Sequence, residues 1–90
     1  MKFIVKWNLP KSTVPATEKR FLETGAQPPA GVKMIGRWHG LSGGGVLIAE
    51  TNDAKALYAW LGYWNDLLEF ETTPCLEDAE AGEVLAAIKR

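Results

Sequence analysis

Val32-Lys33-Met34-Ile35-Gly36-Arg37-Trp38-His39 is followed by Gly40-Leu41-Ser42-Gly43-Gly44 and then by Gly45-Val46-Leu47-Ile48-Ala49-Glu50-Thr51. The first segment alternates, with Val32, Met34, Gly36 and Trp38 on one side and Lys33, Ile35, Arg37 and His39 on the other, the period of a strand. Glycine dominates the second, which reads as a flexible turn, and the third is an apolar run of strand length. A hairpin in mid-chain results. What flanks it decides the fold.

Upstream, residues 2 to 8 also alternate, with Phe3, Val5 and Trp7 opposite Lys2, Ile4, Lys6 and Asn8. Pro10 ends that strand. Ser12 and Thr13 are N-cap types, Pro15 suits a first helical turn, and Gly25 stops the run after Thr24, which predicts a first helix. Gln27-Pro28-Pro29-Ala30-Gly31 can be neither helix nor central strand and joins that helix stiffly to the hairpin. Downstream, Asn52 and Asp53 offer caps for a helix over 54–65, where Leu57, Trp60, Leu61 and Trp64 recur at helical spacing. Leu67 to Thr73 alternates again, and Pro74 marks its end or an edge position. Over 77–89 the acids Glu77, Asp78 and Glu80 come early and Lys89 and Arg90 late, as suits a helix dipole, with Ala81, Val84, Leu85 and Ile88 as an apolar stripe.

The order β-α-β-β-α-β followed by a helix is the split β-α-β, or ferredoxin-like, arrangement of an α+β protein, expected as a single domain over residues 1–90. Right-handed crossovers place the strands in the order 4-1-3-2 in one antiparallel sheet. Both central helices then cover one face, for which Phe3, Val5, Trp7, Val32, Met34, Trp38, Leu68 and Phe70 are the natural apolar set. The other face is expected to carry Ile4, Lys6, Asn8, Ile35, Arg37, His39, Glu69 and Glu71.

Composition bounds what such a domain can do. With 47% hydrophobic and 23% charged residues and a formal net charge of -1, the chain has neither the profile of a disordered segment nor the basic stripe that neutralises nucleic-acid phosphates. The Met1 to Trp7 start lacks the apolar core of a signal peptide, and no run approaches the roughly 20 apolar residues of a membrane span, so a cytoplasmic location with no membrane partner is expected. Cys75 is the only cysteine and His39 the only histidine. A structural zinc site and an internal disulfide are thereby excluded, and no metal or cofactor is implied.

A chain this short buries only about 60 to 65 per cent of the surface its unfolded form exposes. Four tryptophans exceed what one small core easily absorbs, which points to a homodimer with two sheets facing one another. Topology gathers Asn8, Arg37, Trp38, His39, Trp60, Tyr63, Trp64 and Glu69, with the Gly40–Gly44 turn, towards one end of the sheet. Histidine is the residue type that exchanges a proton near neutrality, and Arg37 can hold an anion beside it, which makes these two the candidate catalytic pair. Asn8, Trp38, Trp60, Tyr63, Trp64 and Glu69 are the candidate ligand contacts, the aromatics walling a pocket for a flat molecule. The same aromatics equally suit core or interface. Two functions therefore stand open: binding or transformation of a small aromatic or anionic molecule, and a non-catalytic dimeric binding or stress-related protein whose interior is filled by its own tryptophans.

Gly36-Arg37-Trp38-His39, Trp64-Asn65-Asp66-Leu67-Leu68-Glu69-Phe70-Glu71 and Leu76-Glu77-Asp78 resemble a family of short, mostly bacterial proteins known as a domain of unknown function, similar in topology to the dimeric α+β barrel proteins. The resemblance covers nearly the whole chain and implies that fold, with the homodimer, and no activity. The barrel superfamily includes cofactor-independent monooxygenases, haem-degrading enzymes, small isomerases and stress-response proteins. Some haem-degrading members use an Asn, a Trp and a His. Asn8, Trp64 and His39 are of those types, but His39 stands on the second strand rather than beyond the second helix, and no haem role is carried over.

Overall fold

The computed structural model describes residues 1–90. Its elements are β1 (Lys2–Asn8), a 3-10 turn (Lys11–Thr13), α1 (Val14–Thr24), β2 (Lys33–His39), β3 (Gly45–Glu50), α2 (Ala54–Trp64), β4 (Glu69–Cys75) and α3 (Asp78–Ala87). The strands form one antiparallel sheet in the order β2-β3-β1-β4. Element order and strand order together define an α+β, ferredoxin-like fold.

Local chemistry sets most boundaries. Gly25 takes the left-handed conformation at φ 69°, and its N–H donates to Phe21 O at 2.7 Å, closing α1. Asp53 Oδ1 accepts from the Ala56 N–H at 3.1 Å and opens α2. The last strand begins two residues later than its alternation suggests. Leu67 and Leu68 donate their N–H groups to Trp64 O, both at 3.0 Å, and so belong to the turn that ends α2. Pro74 lies inside β4, opposite Phe3, which is tolerated because β4 is an edge strand.

The main departure from simple alternation lies in β2. Met34 pairs with Ala49, but Gly36 pairs with Ile48, so Ile35 is an extra residue in a β-bulge. Beyond the bulge every side chain changes face. Arg37 and His39, opposite Leu47 and Gly45, lie on the helix-covered face and not on the outer one. Trp38, opposite Val46, turns outward and is 58% exposed. Strict period-two counting cannot see this slip. Gly36 is its local mark: the Trp38 ring lies where a Cβ at Gly36 would stand.

The helix-covered face holds the core. Val5 and Ala49 are fully buried, and Val32, Leu47, Leu57, Trp60, Trp64 and Leu68 surround them, with Phe3, Trp7, Phe21, Met34 and Phe70 packed at the margin. At about 25 cal/mol per Å² of apolar area, cores of this kind supply the main favourable term in folding. Only α1 and α2 take part in it. Every residue of α3 is exposed except Ala81, which is half-buried. The Cα radius of gyration, 15.3 Å, exceeds the roughly 12 Å usual for 90 residues, and the long axis reaches 50 Å. No helix is long and apolar enough to cross a membrane.

Candidate functional site

Between α1, α2, the upper half of the sheet and the Gly40–Gly44 turn lies a cleft of about 820 Å³, inside the ~300–1,000 Å³ range of small-molecule sites. Trp7 from β1 and Phe70 from β4 line it on the sheet side, Val14, Phe21 and Leu22 from α1, and Trp60, Leu61 and Trp64 from α2. Trp7 lies over Gly45, its ring in the space a Cβ there would need. Absence of a side chain at Gly45 is thus what lets an indole lie flat against the sheet. Gly43 and Gly44, at φ 97° and 72°, carry the turn through conformations that other residues rarely adopt and shape the rim.

Two polar side chains from β2 enter this aromatic cleft because of the bulge. His39 is exposed and packs in T-shaped contacts with the Trp7 and Phe21 rings at centroid distances of 5.6 and 5.4 Å. Arg37 is half-buried. Its Nη1 donates to Ala26 O at 2.8 Å and its Nη2 to Gly25 O at 3.0 Å, capping the end of α1, while its guanidinium sits 5.1 Å from the centre of the Phe21 ring. Burial lowers its affinity for a proton below the ordinary arginine value. No carboxylate pairs with it: the ion pairs are Lys2 with Glu50 and Glu77, and Arg20 with Asp66. A cation taken partly out of water without a counter-charge is costly. Thr17 Oγ1, also in the cleft wall, is shielded from solvent and has no hydrogen-bond partner.

A second arginine braces the wall. Arg20 of α1 makes a two-pronged contact with Asp66, 2.9 Å on each prong, and donates to Tyr63 O at 2.9 Å, one of the carbonyls left free at the end of α2. Its guanidinium lies 5.1 Å from the Tyr63 ring centre and 5.3 Å from that of Trp64. The hydrogen bonds from Arg20 hold the Asp66 carboxyl below its ordinary value, and Arg20 is in turn held more firmly protonated by Asp66.

The residues expected to form one site therefore divide. Arg37, His39, Trp60 and Trp64 line the cleft, together with the glycine turn. Asn8, Trp38 and Glu69 do not: Asn8 pairs with Glu69 across β1 and β4 on the outer face, where the bulge also sends Trp38. Tyr63 is 58% exposed, on the flank of α2 under Arg20. Sequence reading missed Trp7 and Phe21 as wall residues, treating Trp7 as plain core. It missed the Arg20–Asp66 brace altogether, because a contact between residues 46 apart leaves no local pattern.

Fold and cleft together make this a small ferredoxin-like α+β protein with an aromatic, arginine-bearing pocket. The chain belongs to the family described as a domain of unknown function (DUF3303), which it matches over residues 1–89. No curated protein matches it.

Proposed function

We propose that this protein binds, as a homodimer, a small molecule with a flat apolar body and an anionic group. The observation that carries this reading is the half-buried Arg37 guanidinium, without an ion-pair partner, in a cleft walled mainly by apolar side chains, among them Trp7, Phe21, Trp60 and Trp64, with Glu18 its one carboxylate. Donors remain on that guanidinium after its bonds to Gly25 O and Ala26 O, since arginine offers five N–H groups. A carboxylate at the cleft would neutralise the charge, and the indoles would stack on the body of the ligand. His39, at the same cleft and open to solvent, is the group that could move a proton to or from the bound molecule. The bare outer face of the sheet supports the homodimer, and the free thiol of Cys75 suits a reducing, cytoplasmic setting.

The test is tryptophan fluorescence titrated with naphthoate and, separately, with the uncharged naphthamide. Naphthoate is expected to bind at least tenfold more tightly, and Arg37→Met to remove that preference while Arg37→Lys keeps part of it. His39→Gln should leave binding within a few-fold of wild type. Equal affinity for acid and amide in the wild type would refute the anionic half of the proposal, and absence of binding by either would refute it entirely.

A further inference from the structure

The cleft-facing side of α1 carries one polar atom out of keeping with its surroundings. Val14, Thr17 and Phe21 stand at i, i+3 and i+7, which puts them on one face of the helix, and all three line the cleft. Thr17 Oγ1 is shielded from solvent and is the one buried side-chain oxygen or nitrogen of the chain without a hydrogen-bond partner. The other two threonines that are not exposed are both paired: Thr13 Oγ1 donates to Leu67 O at 2.8 Å, and Thr51 Oγ1 to Gly31 O at 2.6 Å. A hydroxyl kept from water without a partner is unfavourable. Valine has the same shape and a similar helix propensity and would avoid that cost.

The orphan hydroxyl and the Arg37 guanidinium lie along the same helix. Thr17, Phe21 and Gly25 are four residues apart and so stand one above another on α1. Arg37 Nη2 donates to Gly25 O at 3.0 Å, and the guanidinium sits 5.1 Å from the centre of the Phe21 ring. Each step of four residues is about 6 Å along the axis. A molecule whose anionic group meets Arg37 and whose flat body crosses Phe21 therefore ends near Thr17. Arg37 and His39 are the only basic side chains of the cleft, and both are beside Phe21, whereas Glu18 follows Thr17 in the chain. A second anionic group at the Thr17 end would find a carboxylate and no cation, so the polar group that suits this end is uncharged.

We infer that Thr17 sets the specificity of the cleft and that its ligand is a hydroxylated aromatic acid, with the anionic group on Arg37 and the hydroxyl, at the far end of the ring system, on Thr17 Oγ1. This rests on the proposed binding of a flat anionic molecule and adds the second polar group and its position. Threonine in a helix divides between two rotamers, and a turn about Cα–Cβ carries the hydroxyl from its shielded place to the ligand. Its oxygen can both donate and accept. A site that supplies a partner for a ligand hydroxyl discriminates against the analogue lacking it, since its own polar group is then left unpaired. Selectivity of this kind accounts for a threonine where valine would make the empty protein more stable.

The experiment compares three ligands by tryptophan fluorescence on the wild type and Thr17→Val: 2-naphthoate, 6-hydroxy-2-naphthoate and its isomer 3-hydroxy-2-naphthoate, whose hydroxyl is taken up by its own carboxylate. Urea unfolding of both ligand-free chains accompanies it. The wild type is expected to bind the 6-hydroxy acid at least tenfold more tightly than 2-naphthoate and to show no such gain with the 3-hydroxy isomer. In Thr17→Val the preference should fall to within about twofold of unity, while the empty variant unfolds at the same urea concentration as the wild type or a higher one. A wild type that binds 2-naphthoate without preferring the 6-hydroxy acid, an equal gain with both isomers, or a preference that survives in Thr17→Val would overturn the role of Thr17 and leave the cleft as the ligand site. A Thr17→Val chain less stable than the wild type would also overturn it, by giving the hydroxyl a structural partner. Absence of binding by all three acids would overturn the cleft reading itself.

Discussion

Helices α2 and α3 are nearly equal in length and both are capped at their N-termini, α2 by Asp53 and α3 by the Glu77–Glu80 box. Their fates differ completely. Leu57, Trp60 and Trp64 of α2 are buried against Val5, Leu47 and Ala49, whereas α3 buries no residue. Caps decide where a helix begins; what it becomes depends on the surface opposite. Strong local signals thus form α3 without giving it a place in the core.

The largest effect is expected in α2. Trp64→Ala is expected to cost about 3–5 kcal/mol, the usual penalty for truncating a buried aromatic, while Leu85→Ala at monomeric concentrations should cost less than about 0.5 kcal/mol, as for other exposed positions. Urea denaturation of the two variants measures both. Similar losses at the two sites would mean that α3 packs on its own chain after all.

A smaller effect is expected at the end of α1. Arg37→Met removes two charge-assisted hydrogen bonds to Gly25 O and Ala26 O and should cost about 1.5–3 kcal/mol. Hydrogen exchange should show the loss at the N–H groups of the last turn of α1 and not in α3.

The smallest effect concerns the brace on α2. The Asp66 carboxyl is held below its ordinary value by Arg20, so its folded form binds a proton less readily than its unfolded form. Its contribution to stability is therefore complete above about pH 4, the ordinary carboxylate value, and is lost as pH falls through the lowered one. Asp66→Asn should flatten the part of the pH–stability profile that lies below about pH 4, as unfolding curves at stepped pH would show. The exposure of the pair keeps the effect modest.

Much of this architecture is legible in the sequence, for physical reasons that also explain the failures. Alternation in β1, helical spacing of Leu57, Trp60, Leu61 and Trp64, and the breakers Pro10 and Gly25 are local signals, and they yield the element order and hence the sheet order. The bulge at Ile35 is not local: it depends on how β2 fits against β3, and one unpaired residue moves Arg37 and His39 into the cleft and Trp38 out of it. Grouping residues by the end of the sheet survived that slip, since a change of face leaves the end unchanged. Grouping by face held for Asn8 and Glu69, which stand on the outer face as expected, and failed on β2, where the bulge sends Trp38 out to join them and takes Arg37 and His39 into the cleft.

On the proposed reading a ligand enters on the helix-covered face, where the bulge carries Arg37 and His39. It is tested most directly by the side-chain N–H signals of the four tryptophans in a nitrogen-15 correlation spectrum, followed as naphthoate is added. The Trp7, Trp60 and Trp64 signals are expected to shift with one binding curve while that of Trp38, on the opposite face, stays in place. A titration that moves Trp38 and leaves the other three unmoved would put the site on the outer face and contradict it.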